Sequence, residues 1–327
     1  MGFQYGTSAS NLAKKVTATA NSSGKFTTTL TGLSASTTYY YALYAVVGGK
    51  TFTSDVKSFV TLGNEVEPIV DQTWLELPAE MEGYSNLYVN TLYGGSERNY
   101  TIAYDKSLYT TYWVAYPLNS SHMGSYKRPD GWSFDPNLSS SYQVDLCDAS
   151  YTTYDNGNGH ARGHLIPNAS RNGNQAMQLQ TFHVTNSVPQ IQNKFNDGIW
   201  SSLEGALQSI AKSEEIYIVT GTALQKVGGN ETITYTYAKN DSKKVPVPNY
   251  FYKVVLKVNK SGSTVTSASA IGFWFENKAY ANTTYSSYAV SVDQVEQWTG
   301  MDFFVNLPDS IENSAESNTS WSSFQSF

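Results

Sequence analysis

A chain of 327 residues, 40% hydrophobic and 14% aromatic, can hold two domains and is globular rather than disordered in composition. A net charge of −6 argues against a sequence-specific DNA binder built on a basic face, and no run approaches ~18 apolar residues, so no membrane span is predicted. The single cysteine, Cys147, excludes an intrachain disulfide and a cysteine-based metal cluster.

The charge is unevenly spread. Residues 1–62 carry Lys14, Lys15, Lys25, Lys50 and Lys57 against Asp55 alone, a net +4, which leaves −10 for the rest. Residues 12–20, 24–31, 37–47 and 50–61 read as strands; Phe26, Thr28 and Leu30 alternate, and Gly48-Gly49 separates two β-rich runs as in a hairpin. Leu33 and Tyr39, spanning Ala35-Ser36-Thr37-Thr38, resemble the tyrosine corner of sandwich domains. Residues 1–62 resemble the C-terminal part of a fibronectin type III domain, partial because ~60 residues stand against ~100 for a full sandwich. The resemblance implies an accessory module without chemistry. Met1–Tyr5 has no charged segment followed by an apolar run, so no signal peptide is read there. Sparse charge with plentiful Tyr, Thr, Ser and Asn suits a secreted, periplasmic or cell-surface bacterial protein.

Residues 63–82 hold six acids, no base, and Pro68 and Pro78. They are expected to be a linker, docked at most through Trp74 and Leu75. Residues 83–327 form the second expected domain. Strands are predicted over 99–105, 111–118, 142–146, 178–185, 216–220, 251–258 and 267–275. Phe195, Ile199, Leu203, Leu207 and Ile210 recur at helical spacing. A short helix over 292–299 should end at Gly300, and the Ser- and Asn-rich tail from Asn313 should fray. The mixture predicts an α+β class with a mostly antiparallel sheet.

The chemistry concentrates in Gly159–Arg171, Gly-His-Ala-Arg-Gly-His-Leu-Ile-Pro-Asn-Ala-Ser-Arg. Arg162 offers a bidentate fork for phosphate, His164 titrates near neutrality and can take a proton from water, and Gly163 allows close backbone approach or positive φ. Asn196 and Glu204 fall on the predicted helix, about 12 Å apart along its axis at ~1.5 Å per residue. Both could serve one ion only if one acts through water, which suits Mg²⁺. Lys127, Arg128, Arg162, Arg171 and Lys194 are the basic residues that could gather round a phosphate.

Ala161-Arg162-Gly163-His164 resembles the Asp-Arg-Gly-His motif of the DNA/RNA non-specific endonucleases, a family with the ββα-metal fold. The similarity extends from Tyr84 to Glu312, through Trp113–Tyr116, Arg128…Trp132…Asp135-Pro136, Thr185-Asn186…Pro189-Gln190, Phe195-Asn196…Gly198…Trp200…Leu203-Glu204, and the strands at 216–221 and 271–274. It implies hydrolysis of DNA and RNA to 5′-phosphate products. His164 would be the general base, and Asn196 the one direct protein ligand of Mg²⁺, with Mn²⁺ or another divalent cation as a substitute. Glu204 would act on the ion through water, and Arg128 and Arg162 would bind phosphates. Arg171, Asn186 and Lys194 are expected to contact substrate. Two positions depart from the family: Ala161 replaces its Asp, so the role of that carboxylate is expected to fall to His160 or Asn158, and Gln208 stands where an Arg can follow the metal-site Glu. Two alternatives stay open: a non-catalytic surface protein that binds nucleic acid, and a phosphodiesterase acting on small substrates.

Overall fold

The computed structural model describes residues 1–20, 26–34, 37–61 and 74–327. The chain divides into two compact units, Met1–Ile69 and Val70–Phe327.

The first unit is all-β. Its central strand, Thr38–Val47, is rich in aromatic and β-branched residues and pairs antiparallel with Gly2–Gly6, Lys50–Thr53 and Lys57–Val60; Gly2–Gly6 also pairs with Lys14–Thr17. Gly48 and Gly49 take φ of +58° and +78°, the left-handed pair that a two-residue hairpin needs. The ring of Tyr39 stacks on Phe59 at 5.9 Å, and its hydroxyl accepts a 3.0 Å hydrogen bond from the Ser34 amide, the backbone tie of a tyrosine corner. The strand Gly2–Gly6 was not expected, and the expected 50–61 strand breaks at 54–56. Of the strand expected over 24–31, residues 24 and 25 lie outside the described residues, and Phe26–Thr27 pairs with Thr19–Ala20.

The second unit is built on a seven-stranded antiparallel sheet. In spatial order its strands are Leu87–Gly94, Glu97–Asp105, Thr110–Leu118, Ile216–Ala223, Tyr250–Ser261, Thr264–Glu276 and Ala289–Val290. Both faces are covered, which is why Thr111–Leu118 reads as an apolar run rather than an alternation. Val114, Tyr116, Ile218, Phe251, Val255, Ile271 and Phe273 join one core with Phe195, Ile199, Trp200, Leu203 and Leu207. Trp113, Ala115, Val219, Val254 and Trp274 join the other with Leu75, Val292, Val295, Phe303 and Phe304. The helix Val292–Thr299 ends at Gly300 with φ +72°, as its sequence predicts.

Four expectations are corrected. Residues 74–82 of the expected linker pack on this unit: Leu75 and Glu76 are buried, Arg98 bonds Glu76 at 2.7 Å and lies over the Trp74 ring, and the Ala79 amide donates to the Asp302 carbonyl. Residues 63–73 of it lie outside the described residues. The strand expected over 178–185 is a short helix, Gln175–Gln180, followed by a single turn at Val184–Asn186; the Asn174 side chain caps it by accepting from the amides of Ala176 and Met177. The tail does not fray. It forms helices Asp309–Glu316 and Trp321–Ser326, held by the fully buried Phe324 stacked on Trp321. Composition hid two aromatic anchors among serines. The strand expected at 142–146 is irregular backbone after a turn at Ser140–Tyr142.

Candidate active site

The site is two strands and a helix laid on one face of the sheet. His160–His164 pairs antiparallel with Ser187–Ile191, aligning Arg162 with Pro189 and His164 with Ser187. Alternation buries Ala161 and Gly163 and leaves Arg162 and His164 together on the other side. Gly163 is required by close approach: a Cβ there would collide with the Gln190 side chain across the pair. Gly159 opens the strand at φ +75°.

The second strand runs directly into irregular helical turns, Gln192–Trp200, and then the regular helix Ser201–Ile210. Backbone angles leave the helical region at Asn193, Lys194 and Gly198, the last at φ −122°, ψ −110°. Asn196 and Glu204 therefore do not lie on one continuous helix, and the axial spacing expected between them does not apply. The buried row Phe195, Ile199, Leu203 and Leu207 holds across the break, because packing against Phe251 and Phe275 anchors Phe195 and Trp200.

Arg128, Arg162, His164, Asn196 and Glu204 line one cleft of about 450 Å³, with Trp132 and Gln192 in its wall. The His164 ring sits 4.4 Å from Trp132 and 4.9 Å from Phe182, and its Nε2 is buried with no hydrogen-bond partner. Arg128 lies over the far aromatic, Phe182, at 4.8 Å, and Arg162 over Trp132 at 5.4 Å. The Arg162 guanidinium is also tied to the Leu146 carbonyl at 2.7 Å. Burial first, then the two arginines, hold the His164 imidazole down to about 3, so it stays neutral through the physiological range. Asn196 Nδ2 donates to Gln192 Oε1 at 2.8 Å, which leaves Oδ1 uncommitted. Burial raises the Glu204 carboxyl, against the opposing charge of Lys253.

Lys253 is a residue that the sequence reading missed. It is fully buried, with Nζ 3.7 Å from Glu204 Oε1, 2.7 Å from Thr220 Oγ1 and 4.4 Å from the centre of the Trp200 ring. A signal existed: Lys253 alternates with Phe251 and Val255, both on the buried face that the helix covers.

Three expected substrate contacts are not in the cleft. Arg171 is wholly buried. Its Nε donates to Asn99 Oδ1, and its Nη atoms donate to the carbonyls of Ser170, Asn99 and Pro117, so it ties loops together instead of facing substrate. Asn186 is also fully buried; its side chain brackets the Ile166 amide and carbonyl and reaches the Thr181 carbonyl, which fixes the chain just past His164. Lys194 is exposed on the irregular turn at φ +63°, outside the cleft lining. Nor do His160 or Asn158 replace the missing carboxylate: His160 pairs with Thr153 and Asn158 with Asn193, while Ala161 itself lines the cleft. Gln208 reaches Ser170 Oγ at 3.2 Å.

A histidine, two arginines, an asparagine and a glutamate line one cleft built over an antiparallel strand pair and the helix that follows it, the arrangement of the ββα-metal nuclease fold. The family model for DNA/RNA non-specific endonucleases matches residues 84–310, and the chain belongs to that family. It is 30% identical over 226 residues to a nuclease of Nostoc sp., covering 68% of this chain and 76% of that protein. It is 26% identical over 246 residues to a nuclease of Serratia marcescens, covering 72% and 86%. The fold is similar to a crystal structure of an EndoG/EndoGI complex, at TM-score 0.55 and 20% identity over 74% of this chain and 92% of that one. The enzyme is a hydrolytic nuclease, and its family implies a divalent metal cation. The donors fit such an ion: Asn196 Oδ1 and the Glu204 carboxylate are oxygens that hard cations prefer, and the hydrogen bond to Gln192 turns the Asn196 oxygen free. Among the described residues no helix is long and apolar enough to cross a membrane.

Proposed function

We propose a Mg²⁺-dependent endonuclease that hydrolyses both DNA and RNA and leaves 5′-phosphates. The observation that carries this reading is the convergence of Arg128, Arg162, His164, Asn196 and Glu204 on one cleft.

Arg128 and Arg162 bind the scissile and neighbouring phosphates, each stiffened by the aromatic ring beneath it. Contacts to phosphates rather than base edges give little sequence preference. His164 is held neutral between Trp132 and Phe182; with Nε2 shut in, Nδ1 is the nitrogen left to take a proton from an attacking water. Asn196 would hold the ion through Oδ1, and Glu204 would act on it through a bound water. When bound, Mg²⁺ supplies positive charge for the crowded phosphate and the departing 3′-oxygen. Lys253 supplies Glu204 with a counter-charge from inside the core.

The β-unit at the N-terminus fits an accessory module of the fibronectin type III kind, supported by its tyrosine-corner bond. The composition supports a secreted or cell-surface setting. The reading is tested by incubating plasmid DNA and RNA with the protein in Mg²⁺ and in EDTA: both should be cut only with the metal, and intact substrates in Mg²⁺ would refute it.

A further inference from the structure

On the sheet face away from the cleft, acidic side chains crowd together. The helix Val292–Thr299 places Asp293 and Glu296 three residues apart, hence on one side. The helix Asp309–Glu316 delivers Glu316 to the same place. One oxygen from each of Asp293, Glu296 and Glu316 lies within 4.8 Å of the other two. Both helices pack against the strand Thr264–Glu276, through Val292, Val295 and Ala315 in the second core.

Acidic groups often cluster harmlessly at a surface, where water screens them. Glu316 is different, because it is only 5% exposed. Its Oε1 is buried and has no hydrogen-bond partner. The charges acting on it are all negative, from Glu296, Glu312, Asp293 and Asp302. Glu296 is half-buried and has one oxygen fixed by the Phe303 amide at 2.8 Å. A carboxylate taken out of water needs a partner charge or a proton, since burying it alone is costly. Alone, the group accordingly holds protons: Glu316 is pushed up to about 9 and Glu296 to about 7, burial being the first cause of each.

The geometry points to a Ca²⁺ site formed by Asp293, Glu296 and Glu316, separate from the catalytic cleft, that pins the two helices to each other. Two oxygens bound to one Ca²⁺ at about 2.3–2.6 Å can be up to about 5 Å apart, so the observed spacing suits a single ion. Three carboxylates at one ion also suit Ca²⁺ better than Mg²⁺, which keeps several waters and takes one or two carboxylates. The exposed Asp293 gives the ion a path from solvent. Bound Ca²⁺ would displace the protons and supply the partner that Glu316 lacks.

The test is thermal unfolding of the full chain in EGTA and in millimolar CaCl₂, with native mass spectrometry to count bound ions. Asn196→Ala separates this site from the cleft, Glu316→Gln removes the buried ligand, and Asp293→Asn removes the exposed one with little risk to folding. Ca²⁺ at a hundred times its dissociation constant should raise the Tm of the wild type by about 5 °C or more. Asn196→Ala should keep that rise, whereas Asp293→Asn and Glu316→Gln should lose most of it and bind one ion fewer. No calcium-dependent rise in the wild type would overturn the proposal, and so would a full rise in both carboxylate variants.

Discussion

Lys253 Nζ lies 3.7 Å from Glu204 Oε1, and the lysine is wholly buried behind the carboxylate that lines the cleft. Gln208, one turn past Glu204, faces Ser170 instead. The cation that serves Glu204 thus comes from the sheet beneath it. Breaking a buried ion pair by removing one partner typically costs about 3–5 kcal/mol, because the other charge is stranded. Lys253→Met should therefore lower the urea midpoint sharply and reduce kcat at least about tenfold. Lys253→Met/Glu204→Gln, which strands no charge, should regain most of the stability and none of the activity. Equal stability of Lys253→Met and wild type would show that the pair does not matter.

Arg171 is predicted to matter for folding and not for substrate. Arg171→Leu leaves the carbonyls of Asn99, Pro117 and Ser170 without their buried donors. At about 1–3 kcal/mol for each stranded group, the variant should melt many degrees lower. KM for DNA, measured on the folded protein at low temperature, should change less than threefold. A large rise in KM at unchanged Tm would return Arg171 to the substrate site.

The pH dependence follows from His164. A group whose folded pKa lies below its unfolded value binds protons more readily in the unfolded chain. Its contribution to stability is therefore complete above about 6.5 and is lost as pH falls toward 3. His122, also held near 3 by burial, acts in the same direction. Denaturant midpoints should fall steadily from pH 7 to pH 4. The acid limb of kcat/KM should lie well below the pH of a free imidazole, because the base stays neutral. Arg128→Gln, which removes a repelling charge, should move that limb toward neutrality, and a limb that does not move would contradict the assigned cause.

Gly163→Ala tests the hairpin. The added methyl has nowhere to go except into Gln190, so the two strands must part. Activity should fall by about 10²-fold or more, since small displacements of a catalytic group are that costly. Near-wild-type activity would show that the strand tolerates the shift.

The cleft was legible because its residues sit in a tight motif with a recognisable spacing. Arg162 and His164 share one face of a five-residue strand, and Asn196 and Glu204 follow on the irregular turns and the regular helix that continue from its partner strand. The same cue misled for Arg171 and Asn186, whose residue types suit phosphate as well as they suit buried carbonyls. Only burial distinguishes those uses, and burial depends on distant partners such as Asn99 and Pro117. Lys253 was missed for the converse reason: a lone lysine in an apolar strand gains meaning only when Glu204 is folded over it. The short helix at Gln175–Gln180 escaped because six residues give too little periodicity, leaving the Asn174 cap as its only mark.

The central claim is that a neutral imidazole and a carboxamide oxygen act at one cation in one cleft. The most direct test is the rate of plasmid cleavage by wild type, His164→Ala and Asn196→Ala under single-turnover conditions, across a Mg²⁺ titration. The account predicts that His164→Ala is slower by about 10²–10⁴-fold with an unchanged Mg²⁺ midpoint, whereas Asn196→Ala needs far more metal. Undiminished cleavage by His164→Ala, or an unshifted metal midpoint for Asn196→Ala, would contradict it.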